Sequence, residues 1–124
     1  MPTDVNMKSF FSLFVEKDKS YHFVHGGAIG ADTIAAREAI ARKWDVMCMK
    51  PDWSIGRSAG HIRNAEMVKQ DPKIVIGFIK GESKGTKGCL KLVAKSKSVE
   101  VIYLWDEGVT MALTPKTLGE YLKQ

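Results

Sequence analysis

The chain has 124 residues and a formal net charge of +5 at pH 7. The length is typical of one domain, and a content of 44% hydrophobic and 27% charged residues excludes a wholly disordered chain. No run approaches the roughly 20 apolar residues that a membrane span needs, and no signal-peptide pattern opens the sequence. We therefore expect one cytoplasmic domain covering residues 1–124, with no membrane contact.

The first half of the chain alternates helical and extended patterns. Residues Asp4–Lys17 carry apolar side chains at a helical period. The β-prone run Tyr21–His25 stops at two glycines, and Val46–Met49 is a second short apolar run. Between these runs the sequence predicts a helix over Ala31–Lys43, with Asp32 in the first turn, where the helix dipole favours a negative charge.

The second half continues this alternation. The predicted elements are a helix over Ser58–Lys69, a strand over Ile74–Ile79, a helix over Thr86–Ser96, a strand over Val99–Trp105, an antiparallel strand over Val109–Leu113, and a final helix with Thr114 as its cap and Pro115 as its first residue. Short strands separated by helices indicate βαβ units. The predicted fold class is therefore α/β, with a parallel sheet that has helices on both faces.

The net charge and the cysteines bear on partners. A positive charge favours an anionic partner, either a polymer or a small phosphate compound. Cys48 and Cys89 have no CxxC motif and no His/Cys cluster around them, so we expect reduced thiols. The sequence predicts neither a metal site nor a resident cofactor.

Three predicted strands end in glycine-containing loops, and ligands bind beyond the carboxyl ends of parallel strands. The first loop is HGGAIGAD, from His25 to Asp32. Gly26, Gly27 and Gly30 permit a close approach of the backbone, and free N–H groups at a helix start attract phosphate. The spacing matches neither the GxGxxG motif nor the P-loop motif. The alternative interpretation, a tight turn between strand and helix that binds no ligand, therefore remains.

The second loop, GRSAGHIRN, contains Arg57 and Arg63. Six residues apart, they cannot share one helix face, so we place one in the loop and the other in the first turns of the helix. Arginine binds phosphate with two-pronged geometry, and Asn64 either holds a ribose hydroxyl or caps a neighbouring loop. The structural alternative for Arg63 is an ion pair with Asp32 or Asp52.

Two ring side chains accompany this loop. We interpret His61 as a packed or solvated histidine in preference to a catalytic base. For Trp53 we expect a lid over the core, with a base-stacking platform as the alternative.

The third loop leads to Gly85 and Thr86, and Thr86 either caps the following helix or donates to a phosphate. Four lysines then follow at helical spacing: Lys84, Lys87, Lys91 and Lys95. Such a stripe is usually a solvated face, and its functional alternative is a surface that faces nucleic acid.

Together, the strings HGGAIGAD, PDW at 51–53, GRSAGHIRN and GT at 85–86 closely resemble the YspA-like branch of the SLOG superfamily. That superfamily also holds the DprA/Smf DNA-processing proteins and the LOG nucleotide phosphoribohydrolases, and the resemblance covers about residues 21–105. It implies a Rossmann-like fold that binds nucleotide-derived ligands, in proteins that occur in bacteria and phages. The ligand-binding residues that it implies are Gly26, Gly27, Gly30, Asp32, Arg57, Arg63, Asn64, Gly85 and Thr86.

The sequence departs from this family in two places. Family members usually begin with a strand that ends in a Gly-Ser-Arg-like turn, whereas Met1–Val5 is too short and polar to form that strand. We therefore expect a sheet that lacks the usual first strand. Four explanations stay open: the gene is truncated, its start lies upstream, the remaining strands close up, or a second chain fills the gap, as in a homo-oligomer. Second, Lys87 and its neighbours replace the glutamate that follows the GT loop in LOG-type hydrolases.

Three functions follow as hypotheses. The leading one is the binding of a phosphate-bearing nucleotide-derived ligand, of the NAD, ADP-ribose or nucleoside phosphate class, in the crevice at the strand ends. The second is the hydrolysis of an N-glycosidic or phosphate bond in such a ligand, with Asp32 and Glu82 as candidate carboxylates. The third is DprA-like binding of single-stranded DNA through the lysine stripe.

Overall fold

The computed structural model describes residues 21–25, 31–79, 84–106 and 109–123. The chain divides into a first unit, Met1–Pro51, and a second unit, Asp52–Gln124. The predicted helix over Asp4–Lys17 and the expectation of a missing first strand lie outside the described residues. The single domain stays a prediction.

The first unit contains a βαβ arrangement. Its elements are β1 (His22–His25), α1 (Ala31–Ala41) and β2 (Asp45–Cys48). The two strands pair in parallel, with Phe23 opposite Val46, and α1 packs against both. The helix buries three alanines, Ala35, Ala36 and Ala39. Their small side chains allow the helix to approach the two strands closely.

The second unit begins with a short 3-10 turn and continues with alternating helices and strands. Its elements are the turn Trp53–Ile55, α2 (Ala59–Val68), β3 (Ile74–Ile79), α3 (Lys84–Ala94), β4 (Val101–Asp106), β5 (Val109–Leu113) and α4 (Pro115–Leu122). The predicted bounds of β3 and β5 are confirmed residue for residue. The predicted start of α3 at Thr86 is wrong by two residues.

The three strands of this unit form one sheet in the order β3-β4-β5. β3 and β4 are parallel, from Ile74 opposite Val101 to Ile79 opposite Asp106, and β5 returns antiparallel, as predicted. The carboxyl ends of β3 and β4 therefore lie at the same edge of the sheet. Parallel strands connected by helices confirm the α/β fold class.

The core of the second unit lies between one face of this sheet and the helices α3 and α4. It consists of Ile79, Leu90, Val93, Val99, Ile102, Leu104 and Leu118. Alternate residues of each strand point to this face, which explains why Ile102 and Leu104 are fully buried while Tyr103 is not. Burial of each large aliphatic side chain stabilises the fold by about 1.5–3 kcal/mol.

The last helix starts as its sequence predicts. Thr114 is the N-cap and Pro115 is the first helical residue. The hydroxyl of Thr114 accepts from the amide of Thr117 at 3.2 Å, and the hydroxyl of Thr117 accepts from the amide of Thr114 at 2.8 Å. This reciprocal capping box satisfies two backbone donors and fixes the start of α4 beside β4 and β5.

Candidate functional site

A buried asparagine connects α2 to the first turn of α3 in the second unit. The Asn64 side chain lies on α2 and is part of a residue that is only 7% exposed. Its Oδ1 accepts a hydrogen bond from Nε of Arg63 at 2.9 Å, and its Nδ2 donates to the carbonyl oxygen of Gly85 at 3.4 Å. The amide therefore joins an arginine to the residues that follow the carboxyl end of β3.

The partners of Asn64 also fix the orientation of its amide group. The guanidinium of Arg63 can only donate, and the carbonyl of Gly85 can only accept. The reverse orientation would place like groups against each other at both ends. Where the sequence predicts that Asn64 caps a neighbouring loop, the structure shows a contact with the first turn of a helix instead; a role toward a ribose hydroxyl stays a prediction.

The two arginines occupy the positions that their spacing predicts. Arg57 lies in the turn before α2 and is exposed, whereas Arg63 lies within the helix and is half-buried. Arg57 makes no hydrogen bond or ion pair with any residue in the described ranges. Asp52, one of the carboxylates considered as a partner for Arg63, caps the 3-10 turn by accepting from the amide of Ser54 at 3.1 Å.

The segment around Gly85 differs from its sequence-based prediction. Because α3 already begins at Lys84, Thr86 is not the cap but lies inside the first turn. Gly85 is exposed, and a Cβ added there would meet no atom within 4 Å. The first residues of a helix have amide groups without intrahelical acceptors, which makes this turn a polar surface beside Asn64.

The remaining predicted ligand residues cannot be compared with the structure. Gly26, Gly27 and Gly30 lie outside the described residues, as does Glu82. Asp32 lies in the first turn of α1, and its side chain is not described. Their proposed contacts with a ligand stay predictions.

The residues around the carboxyl ends of β3 and β4 form a second feature, which the sequence reasoning missed. An open pocket of about 170 Å³ is lined by Ile79, Lys87, Asp106, Tyr121 and Leu122. Asp106 is the last residue of β4, and Lys87 is the fourth residue of α3. The signal available in the sequence was an aspartate directly after a buried strand.

Tyr121 on α4 donates a hydrogen bond from its hydroxyl to Oδ2 of Asp106. This hydrogen bond raises the pKa of Tyr121 above its ordinary value, and burial and the negative charge of Asp106 act in the same direction. The phenol therefore remains a donor at neutral pH, and it fixes one oxygen of the carboxylate.

The surface around α2 and α3 includes two further ring side chains. The residue Trp53 is 67% exposed, and its ring lies against Gly60, so it is not the core lid that was expected. His61 is exposed and lies beside Gly88 of α3, in line with its interpretation as a packed or solvated histidine.

The lysine stripe is not uniform. Lys84, Lys91 and Lys95 are exposed, whereas Lys87 is half-buried against the pocket at the strand ends. Within the described part of the chain, Lys87 has no carboxylate within 4.0 Å of its ammonium group. The prediction of a solvated face therefore holds for three of the four lysines.

Two negative findings concern the described residues only. No cluster of three or more His, Cys, Asp or Glu among them could hold a metal ion. No helix among them is long and apolar enough to cross a membrane.

Comparisons with known proteins identify a phage relative. No family model matches the chain, and no solved structure gives a significant match to it. The Gene 61 protein of Mycobacterium phage D29 is 37% identical over 90 residues, which cover 68% of this chain and 71% of that protein. An identity of this size over most of both chains shows common descent, so the chain belongs to the family of the Mycobacterium phage D29 Gene 61 protein.

Proposed function

We propose that this protein binds a phosphate-bearing nucleotide-derived ligand of the NAD, ADP-ribose or nucleoside phosphate class. The observation that carries the proposal is the buried amide of Asn64, which joins Arg63 to Gly85. It holds a guanidinium beside the first turn of an 11-residue helix. A cation and free backbone donors in one place are the groups that bind phosphate.

Arg57 supports the same proposal. It is exposed in the turn before α2, and none of the described residues pairs with it. An arginine near the amino end of a helix and not held by a carboxylate is available to an anionic ligand. The resemblance to SLOG proteins assigns ligand contacts to Arg57, Arg63, Asn64, Gly85 and Thr86, and Gly85 leaves room for a phosphate to approach the backbone.

A screen by thermal shift tests this proposal. The full chain is heated with NAD, ADP-ribose, cyclic ADP-ribose isomers and nucleoside phosphates, each at millimolar concentration. A ligand present at 100 times its Kd adds about 2.7 kcal/mol to the free energy of unfolding, which moves the melting temperature by several degrees. No shift with any of these compounds would reject the proposal.

One observation favours a second candidate, the binding of single-stranded nucleic acid. The ring of Trp53 is exposed, as a platform for base stacking requires, and exposed lysines lie on α3. Fluorescence anisotropy with a labelled oligothymidylate would test it. Binding that falls steeply as salt rises and is lost in Trp53→Ala would support it, whereas absent or salt-insensitive binding would reject it.

A further inference from the structure

The pocket at the carboxyl ends of β3 and β4 contains groups that neither the fold nor the Asn64 contact explains. Lys87, Asp106 and Tyr121 come from α3, β4 and α4, and they meet at one opening with the apolar residues Ile79 and Leu122. Three elements that converge there give the pocket fixed walls. Since ligands bind at the carboxyl ends of parallel strands, the pocket has the position of a binding site.

The hydrogen bond from Tyr121 organises the carboxylate of Asp106. The phenol occupies Oδ2, and Oδ1 has no hydrogen-bond partner among the described residues. An ionised carboxylate is only an acceptor, so its ligand must donate a hydrogen bond. A hydroxyl group meets this condition, whereas a phosphate oxygen directly against Asp106 would be repelled.

Lys87 supplies the opposite charge in the same pocket. It is half-buried, and no carboxylate in the described ranges lies within 4.0 Å of it. A partly buried ammonium group gains from an anionic partner, because burial removes part of its hydration. The pocket therefore suits a ligand that presents a hydroxyl to Asp106 and an anionic oxygen to Lys87.

The size of the pocket limits what it can hold. About 170 Å³ is below the roughly 300–1,000 Å³ of pockets that enclose a whole small-molecule ligand. It is sufficient for one part of a ligand, such as a sugar ring, with the remainder outside. A ribose carries vicinal hydroxyls next to a phosphate, and a carboxylate that accepts from a ribose hydroxyl is a common device in nucleotide-binding folds.

We propose that Lys87, Asp106 and Tyr121 form the subsite for the ribose of the nucleotide, with Asp106 accepting from its hydroxyls and Lys87 contacting the adjoining phosphate. This inference rests on the proposed function. It adds the part of the binding site that selects ligands with ribose hydroxyls. Tyr121 is a positioning residue, since it acts through the carboxylate of Asp106.

Calorimetric titration of the full chain with ADP and with 2′,3′-dideoxy-ADP tests this subsite, because the two probes differ only in the ribose hydroxyls. We expect ADP to bind roughly 10-fold more tightly or better, because the dideoxy probe has no ribose hydroxyl to donate to the carboxylate of Asp106. Asp106→Asn should remove most of that preference. Lys87→Gln should weaken both probes equally, and Lys91→Gln on the exposed surface of the same helix is the control that should change neither.

A second measurement covers the case in which Asp106→Asn does not fold. In amide NMR spectra of the unaltered protein, ADP should shift the signals of Lys87, Asp106 and Tyr121 more than 2′,3′-dideoxy-ADP does. Equal affinity for the two probes, or shifts confined to other residues, would overturn the subsite and leave the proposed function in place. The proposed function itself falls only if NAD, ADP-ribose and the nucleoside phosphates all fail to bind.

Discussion

The side-chain amide of Asn64 donates to the backbone carbonyl of Gly85, 21 positions later in the chain. The same side chain accepts a hydrogen bond from Arg63. One buried residue therefore contacts both a guanidinium on α2 and a backbone carbonyl in the first turn of α3. This contact joins the two segments of the second unit to which we assign phosphate binding. Its loss should therefore affect both stability and ligand affinity.

Asn64→Asp tests that contact with little change in side-chain size. The carboxylate still accepts from Arg63, but its second oxygen faces the carbonyl of Gly85, where two acceptors repel each other. We expect a loss of about 1–3 kcal/mol in the free energy of unfolding, measured by urea denaturation. The exposed change Lys97→Gln lowers the net charge by the same amount and should cost less than about 0.5 kcal/mol. Equal stability of Asn64→Asp and the native chain would show that the contact is not formed.

Gly85→Ala separates stability from ligand binding. An added Cβ meets nothing within 4 Å, and alanine is favoured over glycine in a helix by up to about 1 kcal/mol. The variant should therefore be as stable as the native chain or more so, but its Cβ would block the approach of a phosphate to the backbone. Thermal melting without ligand and with 1 mM ADP-ribose checks both parts. If ADP-ribose raises the melting temperature of Gly85→Ala as much as that of the native chain, Gly85 is not part of the proposed site.

Gly77→Ala tests the packing of the core. Gly77 is buried in β3, and an added Cβ would lie 3.3 Å from both Cδ1 of Leu104 and Cδ2 of Leu90. Both leucines are enclosed, so neither moves without disturbing its neighbours, and overpacking of this kind costs about 1–3 kcal/mol. Chemical denaturation measures the loss. If Gly77→Ala leaves the free energy of unfolding unchanged, the core around α3 is packed more loosely than the structure indicates.

The contact between Tyr121 and Asp106 predicts a stability that depends on pH. The folded state raises the pKa of Tyr121, so the unfolded chain loses this proton first as the pH rises. Its contribution is complete below about pH 10 and declines as the pH rises through the folded pKa. Tyr121→Phe should remove this part of the alkaline loss in a melting series from pH 8 to 11. Tyr21→Phe, in the first unit, is the matched control, and parallel profiles of Tyr121→Phe and the native chain would contradict the assignment.

The sequence predicts those parts of the fold that local patterns encode. Continuous apolar runs with polar boundaries define β3 and β5, and Thr114 followed by Pro115 marks the start of α4. The sequence predicts the start of α3 two residues too late, because Lys84-Gly85 is a weak helical sequence on its own. The contact from Asn64 to Gly85 comes from a distant helix, and no local pattern contains it.

At the candidate site, too, local patterns predict positions in the chain but not contacts between distant residues. The spacing of Arg57 and Arg63 alone indicated that one lies in the turn and the other in the helix, and this is confirmed. The Tyr121–Asp106 contact depends on β5 running antiparallel to β4 toward the opposite edge of the sheet, and on α4 returning from there to the strand ends. Sequence patterns predict that return, but not which side chains meet there.

Titration calorimetry of ADP-ribose and ADP with Arg57→Gln tests the proposed function most directly. Arg37→Gln, on the exposed surface of α1, removes the same charge and is the control. We predict that the native chain and Arg37→Gln bind at least one of the two compounds with the same Kd below about 1 mM, and that Arg57→Gln binds roughly 10-fold more weakly or worse. An unchanged Kd in Arg57→Gln, or equal weakening in both variants, would contradict nucleotide binding at this site, and so would a native chain that binds neither these two compounds nor NAD and the other nucleoside phosphates.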